Sequence, residues 1–376
     1  MTIRLLEHKT LYRDERFFSA FPNVVTLPEG DVLLAFRRAP DHRWMFGQAN
    51  EEDFDSVDHW HFRSHIAVRR FDGGIEPIDE ASSLPVHAEA GDQDANLFLT
   101  RSGKLLQYGF LWYPVTSVAA GRLEELGKPL YRRVGEGEGY LYWGSYVRSS
   151  MDGGRSWSPH RMMPAWPDAK PPAYKHQPKG AALRGRMVQL ASGRLLVAGY
   201  LGDVCGTPEC TAQLFMSDDE GETWELAPER IMMDQIHLQE PALALWPKGA
   251  LTVFNRTDGN KDRLVIAQSL DDGETFDLPR TMEIKGHPYD PLVLPDGRLL
   301  LVYGYRHEPM GVRARLVEPG QPLQEAKEHV IRDDSPSKDT GYPSATLLAD
   351  GRILIAYYIT NETGVRGIEG TLIEID

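Results

Sequence analysis

The chain has 376 residues, 41% hydrophobic and 26% charged, the balance of an ordinary globular protein rather than a disordered or fibrous one. With 55 acidic against 41 basic side chains the formal charge is −14, which gives little support for gripping a phosphate backbone, so nucleic acid is not expected as a partner. No run approaches the roughly 18 apolar residues of a membrane span, and MTIRLLEHKTLYRDER lacks a signal peptide's long apolar segment, so no membrane association and a cytoplasmic location are expected.

After a first strand-like segment, IRLLEHKTLY, one pattern repeats: alternating apolar residues, a tight turn ending in glycine, and a second apolar run. It recurs as VVTLPEGDVLLAF, NLFLTRSGKLLQY, MVQLASGRLLVAG, ALALWPKGALTVF, LVLPDGRLLLVY and ATLLADGRILIAY, and such repetition dictates architecture. The turn glycines are Gly30, Gly103, Gly193, Gly249, Gly297 and Gly351, and glycine takes the positive φ that hairpin turns demand. About 50 to 90 residues separate neighbouring copies, room for two further strands and hence for a four-stranded propeller blade. The prediction is an all-β fold: one six-bladed β-propeller of four-stranded antiparallel blades, a single domain over residues 1–376. The C-terminal TLIEI also reads as a strand and is expected to share a sheet with the N-terminal segment, closing the ring.

Further signals lie between the hairpins. The second blade carries a long aromatic insertion, FLWYPVTSVAAGRLEELGKPLYRRVGEGEGYLYWG, suited to walling a cleft or contacting another subunit. Cys205 and Cys210, without patterned histidines nearby, read as free thiols, and no metal or cofactor is expected. Three blades end in Ser-x-Asp-x-Gly-x-Thr/Ser-aromatic: SMDGGRSW at Ser150 to Trp157, SDDEGETW at Ser217 to Trp224 and SLDDGETF at Ser269 to Phe276. The Asp accepts local backbone hydrogen bonds, the Gly takes a permissive dihedral and the aromatic packs between sheets. RRFDGG around Asp72 reads as a degenerate fourth copy.

Aligning the hairpins on their glycines selects one rim of the channel. Nine residues before the glycine stand Phe21, Asp94, Arg184, Glu240, Pro288 and Tyr342; seven after it stand Arg37, Phe110, Tyr200, Arg256, Gly304 and Tyr358. The two sets should be neighbours, and converging Asp, Glu, Arg and Tyr at one mouth is the form of a small-molecule site. Arg184, Asp94 and Tyr358 are therefore candidate substrate contacts.

The triple Asp box on a six-bladed propeller resembles the sialidase (neuraminidase) superfamily, and the resemblance covers nearly the whole chain. It implies a tyrosine-nucleophile glycoside hydrolase and a carbohydrate substrate bearing a carboxylate. In QEPALALWPKGALTVFNR, Glu240 matches the family's general base and Arg256, sixteen residues on, a substrate-binding arginine. Tyr342, in GYPSATLLADGRILIAYY, matches the nucleophile. The acid would lie on the loop after the first hairpin, where Asp58 fits; Asp53 and Asp55 compete on NEEDFDSVD, and Asp94 of the rim is a further candidate. A third binding arginine is sought in GVRARLV, with Arg313 favoured over Arg315 and Arg306 as an extra contact.

The chain departs from the family at two matched positions. The arginine of the family's Phe/Tyr-Arg-Ile-Pro motif is Ala20 in SAFP, and the glutamate that supports it is Tyr358. Losing both is physically coherent, because either alone would leave a buried charge unpaired. Arg37 then becomes the candidate substitute, with Arg38 facing away. His59, His61, His65, His176, His237 and His287 sit near predicted loops or strand starts, where one could replace an acid/base role. The sequence thus points to a sialidase-like retaining exo-glycosidase for a sialic or related ulosonic acid. The alternatives are a glycosidase or lyase for another uronic or deoxy sugar, and a non-catalytic carbohydrate-binding propeller.

Overall fold

The computed structural model describes residues 2–47, 61–128, 130, 132–133, 137–165, 181–202 and 209–376. Six antiparallel sheets follow the six hairpins in chain order, each with four main strands, and together they form a six-bladed β-propeller. Blade one runs Phe17–Thr26, Val32–Pro40, His65–Phe71 and Ser82–Ser83 from the channel outward. In blade six the strands Gly341–Leu347, Ile353–Thr360 and Arg366–Ile375 are completed by the N-terminal strand Ile3–Tyr12, which pairs with Arg366–Ile375. The two ends of the chain close the ring as expected, so opening it means breaking a ten-residue strand pairing.

The core consists of hydrophobic seams between neighbouring blades. Leu34 and Leu354 meet between blades one and six, Leu97 and Leu33 between one and two, Val197 and Leu106 between two and three. The Asp boxes pack into these seams. In the third-blade box the Ser217 hydroxyl donates to Asp219 and accepts from the Gly221 N–H at 2.8 Å, and the Trp224 indole donates to the Gly221 carbonyl at 3.2 Å. The Thr275 hydroxyl and N–H hold the Asp271 carboxyl of the fourth-blade box down to about 2. Asp72 accepts from Gly74 and Glu76 N–H groups, so the degenerate copy keeps the turn.

Two features depart from a regular repeat. The second-blade insertion lengthens the hairpin Leu105–Val115 with Gly139–Ser150 and adds a helix, Ser117–Glu125. Its Phe110, Trp112 and Tyr140 pack on Ala182 of blade three, sealing the insertion onto the propeller. In blade three the inner strand breaks into Ala182–Leu183 and Val188–Gln189, which frees Arg186 to cross the channel. Its guanidinium donates to both oxygens of Asp290 in blade five, at 2.8 and 2.6 Å, and to the Ala345 carbonyl of blade six at 2.8 Å. The Ala345 N–H donates to Asp290 in turn. Among the described residues no helix is long and apolar enough to cross a membrane.

Removing one partner of such a partly buried pair strands the other charge. Arg186→Met is expected to lose about 2 kcal/mol in urea unfolding, with Arg186→Met/Asp290→Leu recovering part of it; an unchanged midpoint for the single variant would contradict the channel tie.

Candidate active site

The rim owes its geometry to a repeated β-bulge. In blades one, two, four and six the residue ten before the turn glycine pairs with the residue seven after it: Ala20 with Arg37, Gln93 with Phe110, Gln239 with Arg256 and Gly341 with Tyr358. Regular pairing resumes three residues later on the inner strand and two on its partner, so one residue is extra. That stretch holds Phe21, Asp94, Glu240 and Tyr342, with φ of 55°, 58°, 46° and 47°. A left-handed backbone costs a non-glycine residue about 1–2 kcal/mol, and bulges of this kind re-aim side chains beside functional sites. The two aligned sets are neighbours, as the sequence predicts. Blade three reaches the rim differently: Arg184 precedes Gly185, where an added Cβ would lie 2.2 Å from the Pro241 carbonyl oxygen.

Three of these residues form one hydrogen-bonded cluster. The Tyr342 hydroxyl donates to Glu240 Oε1 at 2.5 Å, and Arg256 Nη1 donates to Glu240 Oε2 at 2.8 Å and to Tyr342 Oη at 3.0 Å. Burial opposes the Glu240 charge, but Arg256 and the Tyr342 hydroxyl outweigh it and hold the carboxyl below its usual range. Burial and then the Glu240 carboxylate push the Tyr342 phenol well above its usual range. The result is a neutral phenol hydrogen-bonded to an ionised carboxylate. The Tyr342 ring meets Phe21 edge-on at 4.8 Å, with the guanidinium of Arg184 at 5.0 Å and that of Arg306 at 5.5 Å. Asn96 fixes Arg184 by accepting from it at 3.0 Å while donating to the Tyr108 and Leu183 carbonyls.

Two expected substrate contacts, Arg313 and Tyr358, are engaged by partners within the fold. Arg313 donates to the backbone carbonyls of Val312, Arg332 and Pro309 and lies over the Tyr305 ring, so it braces blade five instead of joining the cluster. Arg306 lies over the Tyr342 ring at 5.5 Å. Tyr358 is fully buried behind Tyr342; its hydroxyl donates to Asp339 and accepts from Arg306 at 3.1 Å. Asp339 also receives Arg306 at 3.3 Å and Arg366 at 2.5 Å. Asp339, three residues before Tyr342, thus holds Arg306 beside the Tyr342 ring.

The remaining expectations divide by location. Arg37 lies in register with Ala20, fully buried, with its guanidinium 5.9 Å from the Phe21 ring, while Arg38 turns away to Tyr12 and Ser83. Asp94 is buried, and burial first, then Glu240 among its neighbours, raises its carboxyl to about 7. Asp53, Asp55, Asp58, His59, His176 and Cys205 lie outside the described residues. Cys210 carries a free thiol, and the His237 ring accepts from its N–H. His287, at the start of blade five, has Nε2 3.1 Å from Asp262; burial and then Arg256 and Arg306 lower its pKa to about 4.

A family model described as a BNR repeat-like domain matches residues 130–355. The chain belongs to the BNR repeat-like family. A solved structure from Dyadobacter fermentans, a protein of unknown function, is 32% identical with a TM-score of 0.89, covering 100% of this chain and 99% of that one. The NanB sialidase of Streptococcus pneumoniae is 14% identical with a TM-score of 0.65, covering 98% of this BNR propeller and 70% of that chain. The Hadza microbial sialidase Hz136 is 14% identical with a TM-score of 0.66, over 98% and 68%. These likenesses show a sialidase-like fold. No curated protein sequence matches.

The Arg306–Asp339–Tyr358 support could not be read from hairpin alignment, because Arg306 and Asp339 stand in loops outside the repeat. The position of Asp339, three residues before Tyr342, is the one sequence signal for it. For the paired Glu240, the sign follows from its lowered pKa: its stabilisation is present above the ordinary glutamate pKa and is lost as pH falls through the lower folded value. The melting-temperature difference between wild type and Glu240→Gln is expected to favour wild type at neutral pH and to shrink in acid below the ordinary glutamate range; a difference independent of pH would contradict an ionised Glu240.

Proposed function

We propose that this BNR propeller is a retaining exo-acting glycoside hydrolase that removes a terminal acidic sugar, a sialic or related ulosonic acid, with Tyr342 as the nucleophile. The observation that carries the reading is the Tyr342–Glu240–Arg256 cluster. A sugar with a carboxylate on its anomeric carbon repels an anionic nucleophile, whereas a neutral phenol approaches freely and becomes nucleophilic as its proton passes to Glu240 Oε1. The 2.5 Å hydrogen bond supplies that path. Arg256, bonded to the phenol oxygen at 3.0 Å, stabilises the charge that develops there. Tyrosine nucleophiles are the recognised exception to the two-carboxylate glycosidase scheme.

Arg256 and Arg306, on blades four and five, flank Tyr342 and are assigned to the substrate carboxylate, since a guanidinium fork matches its plane. Arg184 and Arg37 extend the cationic floor towards blades three and one. Asp94 contributes a further polar contact on blade two. The acid is a carboxylic acid, for which the sequence offers Asp58 and, on the described floor, Asp94.

His287 supports a second reading. A buried neutral imidazole oriented by Asp262 is equipped to remove a carbon-bound proton, as β-elimination on a uronic sugar would require. Wild type and Tyr342→Phe should be compared on fluorogenic glycosides of sialic, ulosonic and uronic acids, with absorbance followed for an unsaturated product. Release by wild type with at least about a thousandfold loss in the variant is expected. An ultraviolet chromophore would turn the assignment to elimination, and equal turnover by both proteins would remove Tyr342 from the chemistry.

A further inference from the structure

We propose that Asp94, on the floor of the channel, is the group that gives its proton to the leaving oxygen, in place of an acid on the loop after the first hairpin. The inference rests on the glycosidase reading above. Asp94 stands at the same bulge register as Tyr342 and Glu240, so blades two, four and six each place one proton-handling group at one level of the channel with a left-handed backbone. Only 3% of its surface is exposed, and among the described residues its Oδ1 has no hydrogen-bond partner. A buried carboxyl oxygen without a partner is costly to keep and is a position that a substrate oxygen can fill.

Asp92, two residues earlier on the same strand, is a built-in contrast. It is also buried, but it accepts from His160 at 2.8 Å and Arg148 at 3.3 Å, and these partners overcome burial to hold it ionised below the usual range. Asp94 Oδ1 has no such hydrogen bond among the described residues. The charges around it are Arg184 from blade three, Glu240 and Arg256 from blade four and Arg37 from blade one, with Tyr342 of blade six also in reach. Burial dominates, the Glu240 carboxylate adds to it, and the arginines compensate in part, leaving a carboxyl that loses its proton only near pH 7. Two acids one strand step apart are thus driven to opposite states, the arrangement that acid/base division of labour requires.

The steps balance. As the bond from the anomeric carbon to the leaving oxygen breaks, that oxygen takes the Asp94 proton; Tyr342 Oη bonds to the carbon and its proton passes to Glu240. In the second half a water attacks the carbon, giving its proton to the Asp94 carboxylate. As the water's bond to the carbon forms, the bond to Tyr342 breaks, and Glu240 returns the proton to the phenol oxygen.

Two measurements test this. In protein labelled with 13C at aspartate Cγ, one resonance absent from Asp94→Asn should titrate near pH 7; titration of that resonance below about pH 5, in the ordinary aspartate range, would overturn the proposal, because no proton would be available at neutral pH. This arm needs no turnover. On the 4-nitrophenyl and methyl α-glycosides of N-acetylneuraminic acid, Asp94→Asn should lose at least about a hundredfold in kcat/KM on the methyl glycoside, whose leaving group needs a proton, and under about tenfold in kcat/KM on the nitrophenyl one. Because a raised carboxyl pKa keeps the acid form below about 7 and loses it above, wild-type kcat/KM should fall as pH rises through that value, and the fall should vanish in the variant. Equal losses on both glycosides, with the alkaline fall retained, would make Asp94 a binding group and overturn the proposal. Tyr342→Phe separates the two readings: it should lose both substrates alike, and wild-type turnover there would sink the nucleophile while leaving the leaving-group asymmetry to judge Asp94.

Discussion

A side chain at the mouth of a propeller channel has to escape the strict alternation of its strand, and here four of them do so through the same left-handed bulge. Phe21, Asp94, Glu240 and Tyr342 each occupy a backbone region that disfavours any residue with a Cβ. One such outlier would be local strain; four at one register are an architectural device. The surrounding sheets hold the strain in place, because each bulge sits in the innermost strand of a blade clamped on both sides by hydrophobic seams. Rigid strands, rather than loops, therefore set the spacing of these side chains, which is what preorganisation of a buried site requires.

The charges on this frame alternate around the ring. Blades two, four and six supply Asp94, Glu240 and Tyr342, and blades one, three and five supply Arg37, Arg184 and Arg306. Each acidic or phenolic group thus has cationic neighbours on both sides. Arg256 is the exception, sharing a blade with Glu240, and its direct hydrogen bond to that carboxylate is what keeps Glu240 ionised despite burial. At positions 20 and 358 the space is filled by Ala20 and the Tyr358 ring, both fully buried. Tyr358 turns its hydroxyl to Asp339, which in turn secures Arg306 beside Tyr342.

The repeat, the ring closure and the rim register were legible because each depends on a local rule: period-two alternation, a glycine at positive φ, and fixed counts from the turn. The Tyr342–Glu240–Arg256 cluster followed from the same counting joined to the family resemblance. The partners of Arg313 were not legible, because strand position says nothing about which carbonyl oxygens lie within reach, and three of them hold its guanidinium. Arg186 was invisible for a related reason: its partners Asp290 and Ala345 are 104 and 159 residues away. The state of Asp94 depends on burial contributed by several blades at once, a sum no single stretch of sequence contains.

The central claim is that Tyr342 becomes covalently bonded to the sugar, and peptide mapping after reaction with 2,3-difluorosialic acid tests it most directly. The account predicts a sugar-sized mass increase confined to the tryptic peptide Asp339 to Arg352, located on Tyr342 by fragmentation and absent from Tyr342→Phe. An adduct on Glu240, on Asp94 or elsewhere in the chain would contradict it.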